Sequence, residues 1–452
     1  MRFALDAWRV SRAGMPAVEA RQRARLAELV AFARERSPYY RERYKGLPSR
    51  VSDVRSLPPV TKQELMENFD GGVTDPDVTR TDVEAFVSDP SLIGHEYLDR
   101  YMVWTTSGTT GTPAILVHDR RSLAAMSALS VVRVVPAWIS PRDLLEFLRR
   151  GGRSASVWAT GGHFFGVTMA ERQRRSRVSR KRRIRVFSVM TPVDALVKDL
   201  NSFGPTMLSA YPSALSLLTG EQEAGRLRLR PLVITAAGES LVPDVRERAE
   251  AAFGTHVWNN YSASEAGVIA FECERGRLHA NDDWYILEPV DEEHRPVLPG
   301  HPSRTVLLTN LANRVQPVIR YELGDSVTIE PDPCPCGRFL PTLRVEGRTD
   351  DTLSFEEDGR SVRLLPLALG TVIEETPGVR RFQVIKTAPK TLSVRLEVEP
   401  GAAPHRVWEA LSSRLEEYFS AQGVSAIQVE RSAEPPRPNP RSGKFRQVWA
   451  EA

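Results

Sequence analysis

Apolar positions along this chain of 452 residues follow two periods, and the switches between them predict the architecture. Over residues 18–43 a charged stretch carries Leu26, Leu29, Val30 and Phe32 at helical spacing, and Ser37-Pro38 interrupts it. Thr61 followed by Glu64 reads as a capping box opening a short helix. From Val103 onward, short apolar runs at 155–159, 185–190, 207–210 and 232–236 alternate with longer amphipathic stretches at 193–203 and 243–253. Strands that alternate with helices pair in parallel, because each helix returns the chain to the same edge of the sheet. Past Asp350 the texture changes. Residues 380–386 and 391–398 read as strands and 403–422 as a helix, whereas 435–444, with four prolines, reads as a mobile loop. The expected fold is α/β. A large N-terminal α/β domain with mixed and parallel sheets spans residues 1–349, and a small α+β C-terminal domain spans 350–452.

Composition narrows the partners. An apolar fraction of 41% supports a large core, and 61 basic against 57 acidic residues leave only +4, too little over this length to demand nucleic acid. No apolar run approaches the ~20 residues of a membrane span, and the N-terminal residues lack the apolar core of a secretion signal. Three cysteines make no disulfide framework. A cytoplasmic enzyme with neither a nucleic-acid nor a membrane partner is expected. One local exception is the segment 171–185, with nine Lys and Arg. It reads as a solvated surface or as a docking patch for an anion: the phosphates of coenzyme A, an acidic carrier protein, or another anionic partner.

Chemistry concentrates first in Thr105-Thr106-Ser107-Gly108-Thr109-Thr110-Gly111-Thr112-Pro113. Glycines let the backbone curl so that successive N–H groups face an anion, and the hydroxyls add donors. The Gly-Lys-Ser/Thr ending of kinase-type phosphate loops is missing. This string resembles the phosphate loop of the adenylate-forming superfamily (acyl-CoA synthetases, adenylation domains and luciferases). Together with Ser37-Pro38-Tyr39-Tyr40 and Leu57-Pro58-Pro59-Val60-Thr61-Lys62, it resembles the phenylacetate-CoA ligase branch. The resemblance implies ATP as co-substrate, AMP as product and a mobile C-terminal domain. It assigns Thr106, Ser107, Gly108, Thr109, Thr110 and Gly111 to the phosphates and Ala237-Gly238-Glu239 to the adenine turn. Tyr261-Ser262-Ala263-Ser264-Glu265 stands where the family has Tyr-Gly-x-Thr-Glu, which places Tyr261 on adenine and Glu265 on Mg²⁺ and keeps a hydroxyl at Ser264. Asp325 would bind the ribose, Arg348 would contact the nucleotide, and Asp350 would be the hinge. Lys444, in Pro440-Arg441-Ser442-Gly443-Lys444, would bring its ammonium to the α-phosphate as charge develops.

Two further sets complete the candidates. Cys273 and His279, with Cys334 and Cys336, form a Cys₃His set suited to a structural, tetrahedral Zn²⁺, the alternative being buried unliganded thiols. His163, Phe164, Tyr211 and Ala237 fall where the family lines its acid pocket, and aromatic walls suit an aryl acid. Phe164 alternatively belongs to the core, and His163 is alternatively structural. The acceptor implied by resemblance is CoA. After the hinge, however, Glu356, Glu357 and Asp358 make a poor lining for a channel admitting that polyanion. The alternatives are a CoA-independent enzyme, such as a nitrite-activating diazotase acting on an arylamine, and an acid–amine or carrier-protein ligase. A non-catalytic nucleotide-binding protein would have lost Lys444. The resemblance also allows a homodimer.

Overall fold

The computed structural model describes residues 2–106, 114–348, 353–357, 360–364, 366–374, 376–438 and 445–451. Residues 107–113 of the expected phosphate loop, the expected hinge residue Asp350, Asp358 and Lys444 lie outside the described residues.

A nine-stranded sheet organises the chain. Its order is Asp325–Ile329, Thr342–Arg348, Leu278–Ala280, Gly267–Glu272, Val257–Ala263, Val233–Ala236, Met207–Ala210, Ser154–Trp158 and Ile184–Ser188. The last five in that order pair in parallel, as the helix-separated apolar runs predict. The other pairings are antiparallel, and they come from a region where no helix intervenes between strands. Predicted bounds agree with the structure to within two residues for the strands at 154–158, 184–188, 207–210 and 233–236 and for the helices Val193–Phe203 and Pro243–Phe253. Both helices end at a glycine in the left-handed conformation, Gly204 and Gly254, which arrests the helix where a side chain would be strained. Leu200, Leu208, Leu215, Leu218 and Ile234 form a core under the parallel half and are fully buried.

The helix starting at Lys62 departs from the expectation in one detail. Thr61 accepts from the Glu64 amide at 3.2 Å, but the Glu64 carboxylate does not return to the Thr61 amide. It instead accepts from the Tyr39 hydroxyl at 2.8 Å and pairs with Arg43, because the helix Pro38–Arg43 packs beside it. The motif thus supplies half a capping box and a tertiary tie.

At the C-terminal end, Gln428–Arg431, Thr391–Val398, Val379–Ala388 and Val448–Ala450 form a four-stranded sheet. The helix Pro404–Ala421 covers it with Val407, Leu411, Leu415 and Phe419, four apolar residues at i, i+4, i+8 and i+12. These residues share a core with Leu353, Phe355 and Leu364, so this α+β part buries its own apolar faces.

The N-terminal helices are stapled to the antiparallel half by charge. Asp283 is fully buried. It accepts from Arg25 at 3.1 Å and from Arg133 at 2.6 Å, and the Arg25 guanidinium lies 3.5 Å over the Trp284 ring. Removing the shared carboxylate leaves buried Arg133 without an acid partner and buried Arg25 with Asp6 alone. Asp283→Ala is therefore expected to lower the unfolding free energy by about 3–5 kcal/mol, read from urea denaturation.

Candidate active site

Three parallel strands end on the same side of the sheet. Trp158 stands at the end of one, Tyr211 just past the next, and Ala237-Gly238-Glu239 just past the third. Open parallel sheets bind ligands at this edge. Trp158 and Tyr211 meet edge to face at 4.7 Å, and Phe164 packs against the same cluster. Burial raises the Tyr211 hydroxyl to about 12, so it stays protonated. Gly238, with φ +84°, turns the chain so that Glu239 reaches Ser213, accepting from its amide at 2.9 Å and its hydroxyl at 3.1 Å. Glu239 also accepts from the Phe445 amide at 2.7 Å, which ties the residue following Lys444 to the turn at Gly238.

The strand Val257–Ala263 carries the next group. A bulge falls between Tyr261 and Ser262, and bulges re-aim the side chains beside them. Tyr261 donates to Asp325 at 2.7 Å, and Arg348 lies 3.7 Å from the same carboxylate. Burial, and then Asp325, pushes the Tyr261 hydroxyl well above its ordinary value. Glu265 is buried, and that burial raises its carboxyl despite a hydrogen bond from Tyr321. Its backbone is pinned by Asn310, whose amide donates to the Glu265 carbonyl at 2.8 Å, and Trp104 donates to the Ser264 carbonyl at 2.7 Å.

Gly238, Glu239, Tyr261, Asp325 and Arg348 line one cavity of about 600 Å³, together with Arg381 and Phe445 from the C-terminal part. Thr106 sits at the mouth of the phosphate loop. Its amide donates to the Ala114 carbonyl at 2.9 Å, and its hydroxyl accepts from the Ala114 amide at 2.8 Å, so both ends of the loop are held together. Not every candidate meets the cavity. His163, Phe164, Tyr211 and Ala237 are absent from its lining, and so are Thr106, Ser264 and Glu265. His163 is buried against Phe86, its Nε2 sits 3.0 Å from the Asp89 carbonyl, and its own carbonyl holds the Thr105 amide at 2.7 Å. That places it under the loop stem. Trp158, Arg381 and Phe445 were missed by the sequence reading. Trp158 carried a usable signal, as the aromatic closing a predicted parallel strand. Arg381 and Phe445 carried none, because only the docking of the C-terminal sheet brings them there.

Cys273, His279, Cys334 and Cys336 converge. Their donor atoms all lie within 4.8 Å of one another, with Cys273 Sγ to Cys334 Sγ at 3.7 Å and Cys336 Sγ to His279 Nε2 at 3.3 Å. Tetrahedral zinc with bonds near 2.3 Å to sulfur separates two sulfurs by about 3.8 Å. The donor set therefore fits. His279 Nδ1 lies 2.9 Å from the Leu340 carbonyl, which fixes the proton there and leaves Nε2 as the ligand atom. The amides of Arg275 and Arg338 point at Cys273 and Cys336 from two residues on, at 3.4 and 3.5 Å, as donors that stabilise thiolate.

The link from Glu239 to Phe445 generates a prediction. Glu239→Ala should speed deuterium exchange at the Phe445 amide about tenfold or more; unchanged protection would show that the contact does not hold the C-terminal segment.

Residues 97–302 match the family described as AMP-binding enzyme. Phenylacetate-coenzyme A ligase of Thermus thermophilus is 24% identical over 404 residues, covering 84% of this chain and 81% of that one. The Escherichia coli enzyme of the same name is 25% identical over 385 residues, covering 80% and 77%. Among solved structures, 2-hydroxyisobutyryl-CoA ligase in its postadenylation state, in complex with R3-HIB-AMP, has a TM-score of 0.66 at 21% identity, covering 96% of this chain and 89% of that one. Residues 97–302 thus carry an AMP-binding enzyme domain, and the chain is an ATP-dependent adenylate-forming ligase that is similar over most of its length to the phenylacetate-CoA ligases.

Proposed function

We propose that the chain joins a small aromatic acid to AMP and then transfers the acyl group to CoA. The observation that carries this reading is the convergence of Tyr261, Asp325, Arg348 and Glu239 on one cavity. In the proposed first step the acid's carboxylate oxygen attacks the α-phosphorus of ATP and pyrophosphate leaves. Tyr261 packs on adenine, Asp325 accepts from the ribose hydroxyls, and the loop containing Thr106, Ser107, Gly108, Thr109, Thr110 and Gly111 receives the phosphates with the Ser264 hydroxyl near them. Arg348 and Lys444 meet the developing negative charge. Glu265 is the residue to hold Mg²⁺, whose chemistry is to neutralise phosphate oxygens.

Residues 1–349 are read as the body and 350–452 as a lid pivoting at Asp350, with the Glu239–Phe445 contact marking one docked position. An aromatic acid is favoured by the Trp158–Tyr211 pair with Phe164 at the strand ends. CoA is favoured by the relatives' names and by Glu357. That carboxylate accepts from Lys390, 3.0 Å from each oxygen, and from Ser425, which hold it down at about 2. The acidic stretch after the hinge is therefore partly neutralised within the fold, and its objection to a polyanionic acceptor weakens. The Cys₃His cluster is proposed as a structural zinc site, since all four positions are protein donors.

A panel of aryl acids, aliphatic acids and nitrite tests the reading, each assayed for pyrophosphate release with and without CoA and an arylamine. Release with an aryl acid, and a thioester when CoA is present, is expected. Nitrite-dependent release with an arylamine, or an acid adenylate indifferent to CoA, would contradict the acceptor. For the metal, protein purified without chelators should hold about one zinc per chain, and Cys334→Ser should lower both zinc content and melting temperature. Zinc-free protein of full stability would remove the assignment.

A further inference from the structure

At the opposite edge of the sheet, where the parallel strands begin, the surface has a composition that the catalytic reading does not use. The helix Pro141–Arg149 is capped by Ser140 and Asp143. It turns Pro141, Leu144, Leu145 and Leu148 to one side, at i, i+3, i+4 and i+7. The leucines are 46%, 52% and 57% exposed. A stripe of this kind ordinarily faces a core. The chain then enters the strand Ser154–Trp158 through Gly152, which lies against Phe147 and beside the Arg183 guanidinium. The Ser154 amide donates to the Arg183 carbonyl at 2.7 Å. The basic segment noted in the sequence thus adjoins the leucine stripe, and within it Val178 is 80% exposed.

More arginines join them. Arg150 reaches the Arg230 carbonyl at 2.6 Å and Arg153 the Gly204 carbonyl at 3.0 Å. Arg228 and Arg230 alternate with the buried Leu227 and Leu229 and point outward. None of Arg150, Arg153, Arg182, Arg183, Arg228 and Arg230 has a carboxylate within ion-pair distance among the described residues. Of the acids near them, Glu221 pairs with Arg226, Glu223 with Arg248 and Asp143 with Ser140, and Glu146 lies on the leucine helix itself.

We infer that this face docks the chain on an anionic lipid surface, with the leucine stripe entering the headgroup boundary and the arginines meeting lipid phosphates. Apolar side chains on a short helix, flanked by unpaired cations, are what such a surface selects. This helix alone is too short to span, since nine residues reach about 13 Å of the ~30 Å required; the preceding stretch Arg120–Trp138 lies at 97° to it and buries Leu123, Ala125, Ala128 and Leu129 inside the protein. A second copy across a two-fold axis would bring the same arginines face to face. Delivery of CoA or a carrier protein to the active site is disfavoured by place, because a strand of five residues, about 16 Å long, separates this edge from the catalytic one. The docked protein would keep its cavity open to solution. The proposal departs from the sequence-based expectation of no membrane partner because the fold leaves Leu144, Leu145 and Leu148 outside.

The test is flotation of the full chain with phosphatidylcholine vesicles, with and without about one-third phosphatidylglycerol, at about 0.1 M salt. Binding to the anionic vesicles alone is expected. It should fall about tenfold or more in Leu144→Asp/Leu148→Asp and also in Arg182→Glu/Arg183→Glu, while melting temperature and pyrophosphate release stay unchanged. Three outcomes would overturn it: no flotation; equal flotation with neutral vesicles; or a leucine variant that turns a dimer into a monomer and leaves flotation intact. Binding to polyglutamate as tight as to vesicles and indifferent to the leucine changes would point to an acidic protein instead, and would also overturn it.

Discussion

One strand has to satisfy two ladders. Val257–Ala263 pairs in parallel with Val233–Ala236 as far as Asn259, and from Asn260 onward it pairs antiparallel with Gly267–Glu272. The change of partner leaves backbone groups to be satisfied at the junction. The Asn260 side chain takes the Ala236 carbonyl at 3.3 Å, and Glu272, buried and paired with Arg246, takes the Asn259 amide at 2.7 Å. Everything beyond the junction follows from where the strand emerges. The bulge after Tyr261 lies two residues past the switch, and Tyr261, Ser264 and Glu265 therefore stand between the parallel edge, with its turn at Gly238, and the antiparallel strands that carry Asp325 and Arg348. A site assembled from both halves of a sheet is held by the sheet's own hydrogen bonds rather than by the loops alone.

The same junction explains what could be read in advance. Periods of 3.6 and 2 show in single stretches of sequence, so the helices Val193–Phe203 and Pro243–Phe253 and the strand Met207–Ala210 were legible. The antiparallel half was not. Its strands, such as Gly267–Glu272, are buried on both faces rather than alternately, and pairing between distant strands leaves no local period. Candidate residues followed motif order, and Tyr261, Asp325, Arg348 and Glu239 do converge. Contacts that depend on tertiary docking had no local signal. Glu64 leaving its capping box for Tyr39 and Arg43 is one, and Arg381 and Phe445 entering the cavity from the C-terminal sheet are others. His163 shows the converse. A histidine in the right stretch of sequence serves the loop stem with its backbone and buries its ring.

Electrostatics divides the molecule into a catalytic edge and a basic edge. At the catalytic edge, Glu265 is held at a raised value by burial, a strained state for a carboxylate that a cation would relieve. Tyr261 and Arg348 already satisfy Asp325 with hydrogen bond and charge, so under the proposed function ribose hydroxyls would replace these partners. At the other edge Arg150, Arg153 and Arg228 rest on backbone carbonyls, which orient a guanidinium without neutralising it. Opposite ends of short parallel strands thereby carry separate tasks, and neither patch obstructs the other.

Acyl-adenylate formation leaves a specific atomic record. When an acyl adenylate is passed to its acceptor, one carboxylate oxygen of the acid departs with AMP. The most direct measurement is mass spectrometry of AMP recovered after turnover of an acid labelled with ¹⁸O in its carboxylate. One labelled oxygen in AMP is the predicted result. Label retained in the acid or product with unlabelled AMP, or ADP and labelled phosphate in its place, would contradict the account.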